Sequence, residues 1–210
     1  MVAAVPSIVG CFPARATVRA LGGVQAMRGL SVGTLLLTSR GYLPMFLDGH
    51  HDALALTSML RLNTASNHSI TLTPDHYLPL GGGSHRSAVH VMLGDELLVQ
   101  QGDKLVPSPV ASISWVKEQG LFNPYTTSGD LVVDGVLASC HSSWFLEGLL
   151  RDGLTVKAYE VLLAPLGLLY LVLPGWFERF AADFAEDPRA LGADGALATV
   201  LAALRALPGH

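Results

Sequence analysis

The feature that most constrains this chain is a rhythm of short apolar runs across its first 140 residues. ATVRAL (16–21), TLLLT (34–38), SITLT (69–73), ELLV (96–99) and LVVDGVLAS (131–139) recur, and LGG (21–23), SRG (39–41), GGGS (81–84) and QQGD (100–103) stand between them. Runs this short cannot bury the face of a helix, but they suit strands that turn at glycine and polar residues. The expectation is an all-β fold.

A weak internal repeat sharpens that expectation. GLSVGTLLLTSRG (29–41) resembles HVMLGDELLVQQG (90–102), with Gly33 opposite Gly94 and Gly41 opposite Gly102, an offset of 61 in both cases. Leu36 and Leu37 fall opposite Leu97 and Leu98. Such a pattern implies two similar β-halves made by duplication.

After Cys140 the texture changes. Residues 144–207 favour helix, with breaks expected at Gly153, Pro165, Pro174, Pro188 and Gly195. VLLAPLGLLYLVLPGWF (161–177) carries no charge. It reads either as a helical hairpin buried on the β-domain or as a segment that meets a bilayer or holds a lipid. DGALATVLAALRALPGH (194–210) is expected to be an amphipathic helix, with Asp194 near its start and Pro208 after its end.

Composition narrows the function. Half the residues are apolar and only 14% are charged, against about 25% in ordinary soluble domains. The mean hydropathy of +0.42 leaves apolar surface for a partner or a membrane. A net charge of −4 without a basic run argues against nucleic acid. Two cysteines are too few for a disulfide framework or a four-cysteine zinc site. MVAAVPSIVG at the start has neither the basic nor the apolar region of a signal peptide, so the chain is expected to be either cytosolic or a piece of a longer precursor whose targeting lies upstream.

Cysteine placement then raises a chemical question, because SIVGCF (7–12) puts a glycine directly before Cys11. A thiolate can attack the carbonyl carbon on its own amino side, turning the Gly10–Cys11 amide into a thioester and freeing the amine of Cys11. Glycine at position 10 lets the sulfur approach and tolerates a distorted bond. The step needs a proton donor for the leaving nitrogen and groups that hold the amide. TLTPDHYLPL (71–80) supplies Thr73 and His76 at T-x-x-H spacing, so a hydroxyl and an imidazole could reach one peptide group. Pro74-Asp75 is also ordinary turn chemistry.

Taken together, GCF, the T-x-x-H and LVVDGVLASC (131–140) resemble the Hint domain of hedgehog proteins, the autoprocessing half often called Hog. MFLDGHHD (45–52) looks like that family's F-L-D-R stretch, and LRLNTASNHSITLTPDH resembles the strand leading into its T-x-x-H. The likeness covers about residues 8–143. Position 34 is Thr where the family usually has Asp, and His141 stands where it usually has an aromatic residue.

The resemblance implies a β-horseshoe of two pseudo-symmetric halves over 11–143, a flank 1–10 ending at the scissile bond, and an apolar helical region over 144–210. It implies Cys11 as nucleophile of an N-to-S acyl shift and His76 as general acid on the scissile nitrogen. Thr73 would support that geometry. Asp48 would be the general base for the second nucleophile, which in animal hedgehogs is the 3-hydroxyl of cholesterol. Cys140 would lie beside the active site, where a disulfide with Cys11 could silence the thiol.

The expected substrate is the chain's own N-terminal flank, with a sterol, another lipid alcohol or water as acceptor and no metal or nucleotide cofactor. His50 and His51 beside Asp48 show no further metal-ligand pattern. Membrane association is expected through 144–180, and a place on the secretory route if the chain is part of a hedgehog-like precursor. A non-catalytic Hint-fold interaction or membrane module is the alternative, and a cysteine protease acting in trans a third.

Overall fold

The computed structural model describes residues 10–142 and 152–178. The first span is built from strands. They are β1 (Thr17–Ala20), β2 (Gly23–Ala26), β3 (Leu35–Thr38), β4 (Gly41–Thr64), β5 (Ser69–Leu72), β6 (Tyr77–Pro79), β7 (His85–Ser87), β8 (Glu96–Gln101), β9 (Lys104–Thr126), β10 (Asp130–Val133) and β11 (Val136–Ser139). All five apolar runs read from the sequence lie on strands, and the four breaker stretches form the turns between them. LVVDGVLAS is a hairpin rather than one strand. Asp134 and Gly135 both take positive φ, 48° and 79°, the tight turn that a D-G pair favours. The Asp134 carboxylate accepts from the amide and hydroxyl of Thr17, tying the turn to β1.

The framework is the pair β4 and β9, antiparallel from Met45↔Thr126 to Thr64↔Val110 with register shifts at four points. Strands follow the order β10-β11-β8-β9-β4-β3-β1-β2, β5 pairs with β4, and β10 also meets β1 at Val18↔Val133. That last pairing brings the two ends of the sheet together around one core. Leu36, Leu62, Ile70, Leu72, Leu78, Leu97, Val99, Leu131, Val133 and Val136 all point into it and are fully buried. Cutting one of these leucines to alanine costs about 2–5 kcal/mol.

The two halves repeat each other in detail. A 3-10 turn at Met27–Gly29 matches another at Ala88–His90. The amide of Gly33 donates to Met45 and that of Gly94 to Val110, while Met45 and Val110 donate back to Thr34 and Asp95. Gly33 and Gly94 both sit at positive φ, 92° and 86°, where a side chain would be strained. Met27 N–H donates to Ala16 and Ala88 N–H to His76; Arg28 donates to Ala14 and Val89 to Pro74. Residues 13–16 and 73–76 are therefore the same turn in the two halves. The first follows Cys11 and the second carries the T-x-x-H.

The second span is a helix, α1 (Asp152–Val172), followed after a bend by a helical turn reaching residue 178. Pro165 lies inside α1 and Gly153 at its start, so neither breaks it as the sequence suggested. An interior proline costs a helix about 3 kcal/mol. Here Val156, Tyr159, Leu163, Leu166 and Tyr170, spaced three and four apart, bury against the β-domain and hold the helix through it. Phe177 in the following turn is also buried, 6.1 Å ring to ring from Phe46. Within the described residues this region is one long helix and a turn, not a hairpin. Pro188, Gly195 and the helix expected after Asp194 lie outside the described residues.

Candidate active site

Four segments converge on Gly10 and Cys11. The chain enters the domain by pairing Phe12 with Phe122 of β9, each amide donating to the other's carbonyl. That pairing fixes Cys11 between β9 and the turn that follows β5. The Cys11 amide donates to Thr73 Oγ1 at 2.9 Å, and the Thr73 amide donates to the Cys11 carbonyl at 2.9 Å. Both residues are fully buried. The nitrogen of the Gly10–Cys11 peptide thus ends on the Thr73 hydroxyl.

His76 lies on the other side of the same peptide. It is wholly buried, its ring 4.4 Å from that of Phe12. Its Nε2 is 2.7 Å from the carbonyl of Ser139. A carbonyl only accepts, so Nε2 carries the proton and Nδ1 presents a lone pair. Burial pulls the His76 pKa down to about 4, against the opposing pull of the Ser139 and Gly10 backbone. The ring is neutral at pH 7. Nδ1 points at Gly10: a Cβ there would stand 2.7 Å from Nδ1 and 2.5 Å from the Ser142 Cβ. Real Cβ atoms do not approach so closely, so this position takes glycine for want of space.

Asp48 sits on β4 opposite Pro124. Its carboxylate accepts from His51 Nδ1 at 2.8 Å. Burial raises its pKa, and the His51 contact opposes the rise. The Cys11 thiol is pushed well above the usual range, first by burial and then by the charge of Asp48. Those two groups therefore share one electrostatic environment, and the thiol is protonated at rest. Gly49 beside Asp48 lies directly against the ring of Tyr125.

Cys140 follows β11 and is a free, buried thiol, as is Cys11. Its sulfur accepts from the Thr126 amide at 3.5 Å, and burial pushes its pKa up to about 12. Tyr125 lies within electrostatic reach of both cysteines, and its own pKa is raised, chiefly by burial and then by Cys140 and Cys11. Cys140 thus stands on the Tyr125 side of the site, while Thr73 and His76 flank the Gly10–Cys11 peptide. Among the described residues no group of three or more His, Cys, Asp or Glu could hold a metal ion.

Several groups at the site carry no sequence signal of their own. Ser142, Asn123 and Tyr125 stand outside any motif, and only the fold brings them here. Ser142 pairs with His76 in an isolated antiparallel bridge. His141 is buried against Tyr125 and Tyr159, and burial lowers its pKa to about 3. Neither of its ring nitrogens has a hydrogen-bond partner among the described residues. It floors a cleft of about 400 Å³ between α1 and the β9–β10 turn, walled by Phe46, Leu163, Ala164, Leu168 and Leu171.

Comparison with known proteins bears on the family and the fold. A family profile described as "Hint module" matches residues 2–150. Warthog protein 6 of Caenorhabditis elegans is 27% identical over 150 residues, covering 66% of this chain and 25% of that protein. Indian hedgehog B protein of Danio rerio is 30% identical over 188 residues, covering 77% of this chain and 42% of that protein. The chain thus spans less than half the length of either relative. Among solved structures, a gp41-1 intein variant superposes with a TM-score of 0.55 at 15% identity, covering 62% of this chain and 98% of the intein. A DnaB intein from Synechocystis gives 0.54 at 11% identity, covering 64% and 99%. At such identities the inteins speak for the fold alone, and the profile and the sequence relatives carry the assignment: the chain belongs to the Hint module family.

Proposed function

We propose that this chain severs its own backbone between Gly10 and Cys11, passing through a thioester that a second nucleophile resolves. The observation that carries the reading is the double hold on one peptide bond. Thr73 takes the Cys11 N–H, and His76 Nδ1 faces Gly10 from the side where a side chain would be.

The proton inventory supports it. The Cys11 thiol loses its proton as the sulfur attacks the Gly10 carbonyl carbon. The neutral His76, with Nε2–H committed to Ser139, has Nδ1 open to take that proton. An imidazolium buried here is a strong acid, because burial holds its pKa near 4. It passes the proton to the departing nitrogen as the C–N bond breaks. The products of this step are the Gly10 thioester and the free α-amine of Cys11.

The acceptor we assign is a lipid alcohol such as a sterol, with water second. The cleft beneath α1 supports this choice, having apolar walls and His141 among its lining residues. Asp48 is the base that would take the hydroxyl proton, since it shares an environment with Cys11. Attack forms the C–O bond, breaks the C–S bond and returns the thiolate. α1 is also long and apolar enough to cross a membrane, though 39% of its apolar window is buried in the domain. Val161, Leu168, Leu171 and Val172 are exposed on α1 and the first three also line the cleft, so the cleft adjoins an apolar surface suited to resting on the lipid that supplies the acceptor. Delivery of a lipidated fragment along the secretory route follows from this reading.

The test is an N-terminal fusion. Dithiothreitol should release the fusion partner from the wild type and leave a Cys11→Ala variant intact. A wild type that stays whole at every thiol concentration would overturn the proposal. With cholesterol in place of thiol, the mass of the released fragment distinguishes ester from acid.

A further inference from the structure

Ser142 is the second polar residue packed against Gly10, and the mechanism above leaves it unused. Its side chain is 1% exposed, and its Oγ has no hydrogen-bond partner among the described residues. A hydroxyl buried without a partner costs about 1–3 kcal/mol. Ser142 is held in place by its bridge to His76 and by its neighbour, since the Tyr77 amide donates to the His141 carbonyl. Its Cβ would lie 2.5 Å from a Cβ on Gly10, closer than any other atom of the domain.

Two residues therefore pack against one glycine, His76 through Nδ1 and Ser142 through the carbon that bears its hydroxyl, and their polar groups differ in kind. His76 Nδ1 is a lone pair in the neutral ring, fixed by the Nε2–H to Ser139 contact. Ser142 Oγ–H is a donor. When sulfur adds to the Gly10 carbonyl carbon, the C=O π pair moves onto oxygen and an alkoxide forms. A fixed donor with no ground-state partner is what such a charge needs, because it does not have to abandon another bond first.

We propose that Ser142 is a catalytic residue of the acyl shift, its hydroxyl donating to the oxyanion that forms on Gly10 while His76 manages the proton of the leaving nitrogen. No proton leaves Ser142. The hydrogen bond forms with the S–C bond and dissolves when the C–N bond breaks and the carbonyl is restored. This inference rests on the autoprocessing reading and adds to it a residue that neither the cysteine nor the T-x-x-H points to.

The experiment uses the full chain with its N-terminal fusion, at dithiothreitol concentrations high enough that thioester formation limits release. Ser142→Ala removes one oxygen and should slow release about 10²–10³-fold with the melting temperature unchanged or raised, since an unpartnered buried hydroxyl is lost. A release rate within twofold of wild type overturns the proposal and leaves autoprocessing standing. If Ser142→Ala is slow but also unstable, Ser142→Cys decides, because it keeps the side chain and a weak donor. Partial recovery of rate supports the oxyanion role, and a rate no better than that of the alanine variant overturns it. A wild type that releases nothing overturns the autoprocessing reading and this inference together.

Discussion

His76 Nδ1 stands 2.7 Å from where the Cβ of an alanine at position 10 would be, so the imidazole occupies the side-chain space of Gly10. The residue before Cys11 is therefore set by sterics as well as by backbone freedom. In a fusion protein, Gly10→Ala should force the peptide away from both His76 and Ser142. A displacement near 1 Å at a reacting centre costs about 10²-fold, and thiol-induced release measured by denaturing electrophoresis should slow by that order. Unchanged release would mean the peptide does not react from this position.

Thr73 holds the scissile nitrogen within a wholly buried site. Thr73→Val keeps the shape and leaves the Cys11 N–H without an acceptor. That loss should destabilise the domain by about 1–3 kcal/mol in urea unfolding. An unfolding curve superposed on that of the wild type would show that the contact carries nothing.

His76→Ala should reduce thiol-induced release about 10²–10⁴-fold, the range of a lost general acid–base group. The prediction is read from initial rates. A variant that releases at the wild-type rate would remove His76 from the reaction.

In the proposed reaction Asp48 separates the two chemical steps. Asp48→Asn removes the charge that raises the Cys11 thiol pKa, so thioester formation should persist or quicken. The base for the alcohol is lost with it. Mass spectrometry should then find the thiol adduct at wild-type level and the sterol ester absent. Loss of both products together would assign Asp48 to the first step.

Two buried histidines make the fold sensitive to acid. Burial lowers His76 to about 4 and His141 to about 3, against about 6.5 in the unfolded chain. The unfolded state binds more protons below that value, so stability should be full above pH 6.5 and fall as pH drops towards these folded values. Each ring contributes on the order of 3 kcal/mol across its window. Urea midpoints measured from pH 7 to 4 should decline, and His141→Phe should flatten the slope. A flat wild-type profile would contradict both burials.

Much of this protein was legible from residue order alone. Alternation and turn chemistry are local, so ATVRAL, TLLLT and the D-G of LVVDGVLAS reveal strands and a hairpin before any fold is drawn. The 61-residue offset between Gly33 and Gly94 foretold the two halves, because a positive φ demands glycine wherever the turn recurs. Cys11, Thr73 and His76 could be singled out because their side chains have distinctive chemistry, and Gly10 because it has none.

What sequence reading missed depends on distance in space. The long strands β4 and β9, at 24 and 23 residues, escaped notice. Prolines and glycines interrupt their pattern, and their many exposed residues satisfy no alternation. α1 runs through Pro165 because contacts from Val156 to Tyr170 outweigh a local penalty. Only the closed sheet decided that Ser142, whose residue type marks no chemistry, lies against Gly10, and that Tyr125 stands near both cysteines. A sequence specifies which groups can react. The burial that turns His76 neutral and leaves the Ser142 hydroxyl without a partner among the described residues is a property of packing, and packing exists only once the chain has closed on itself.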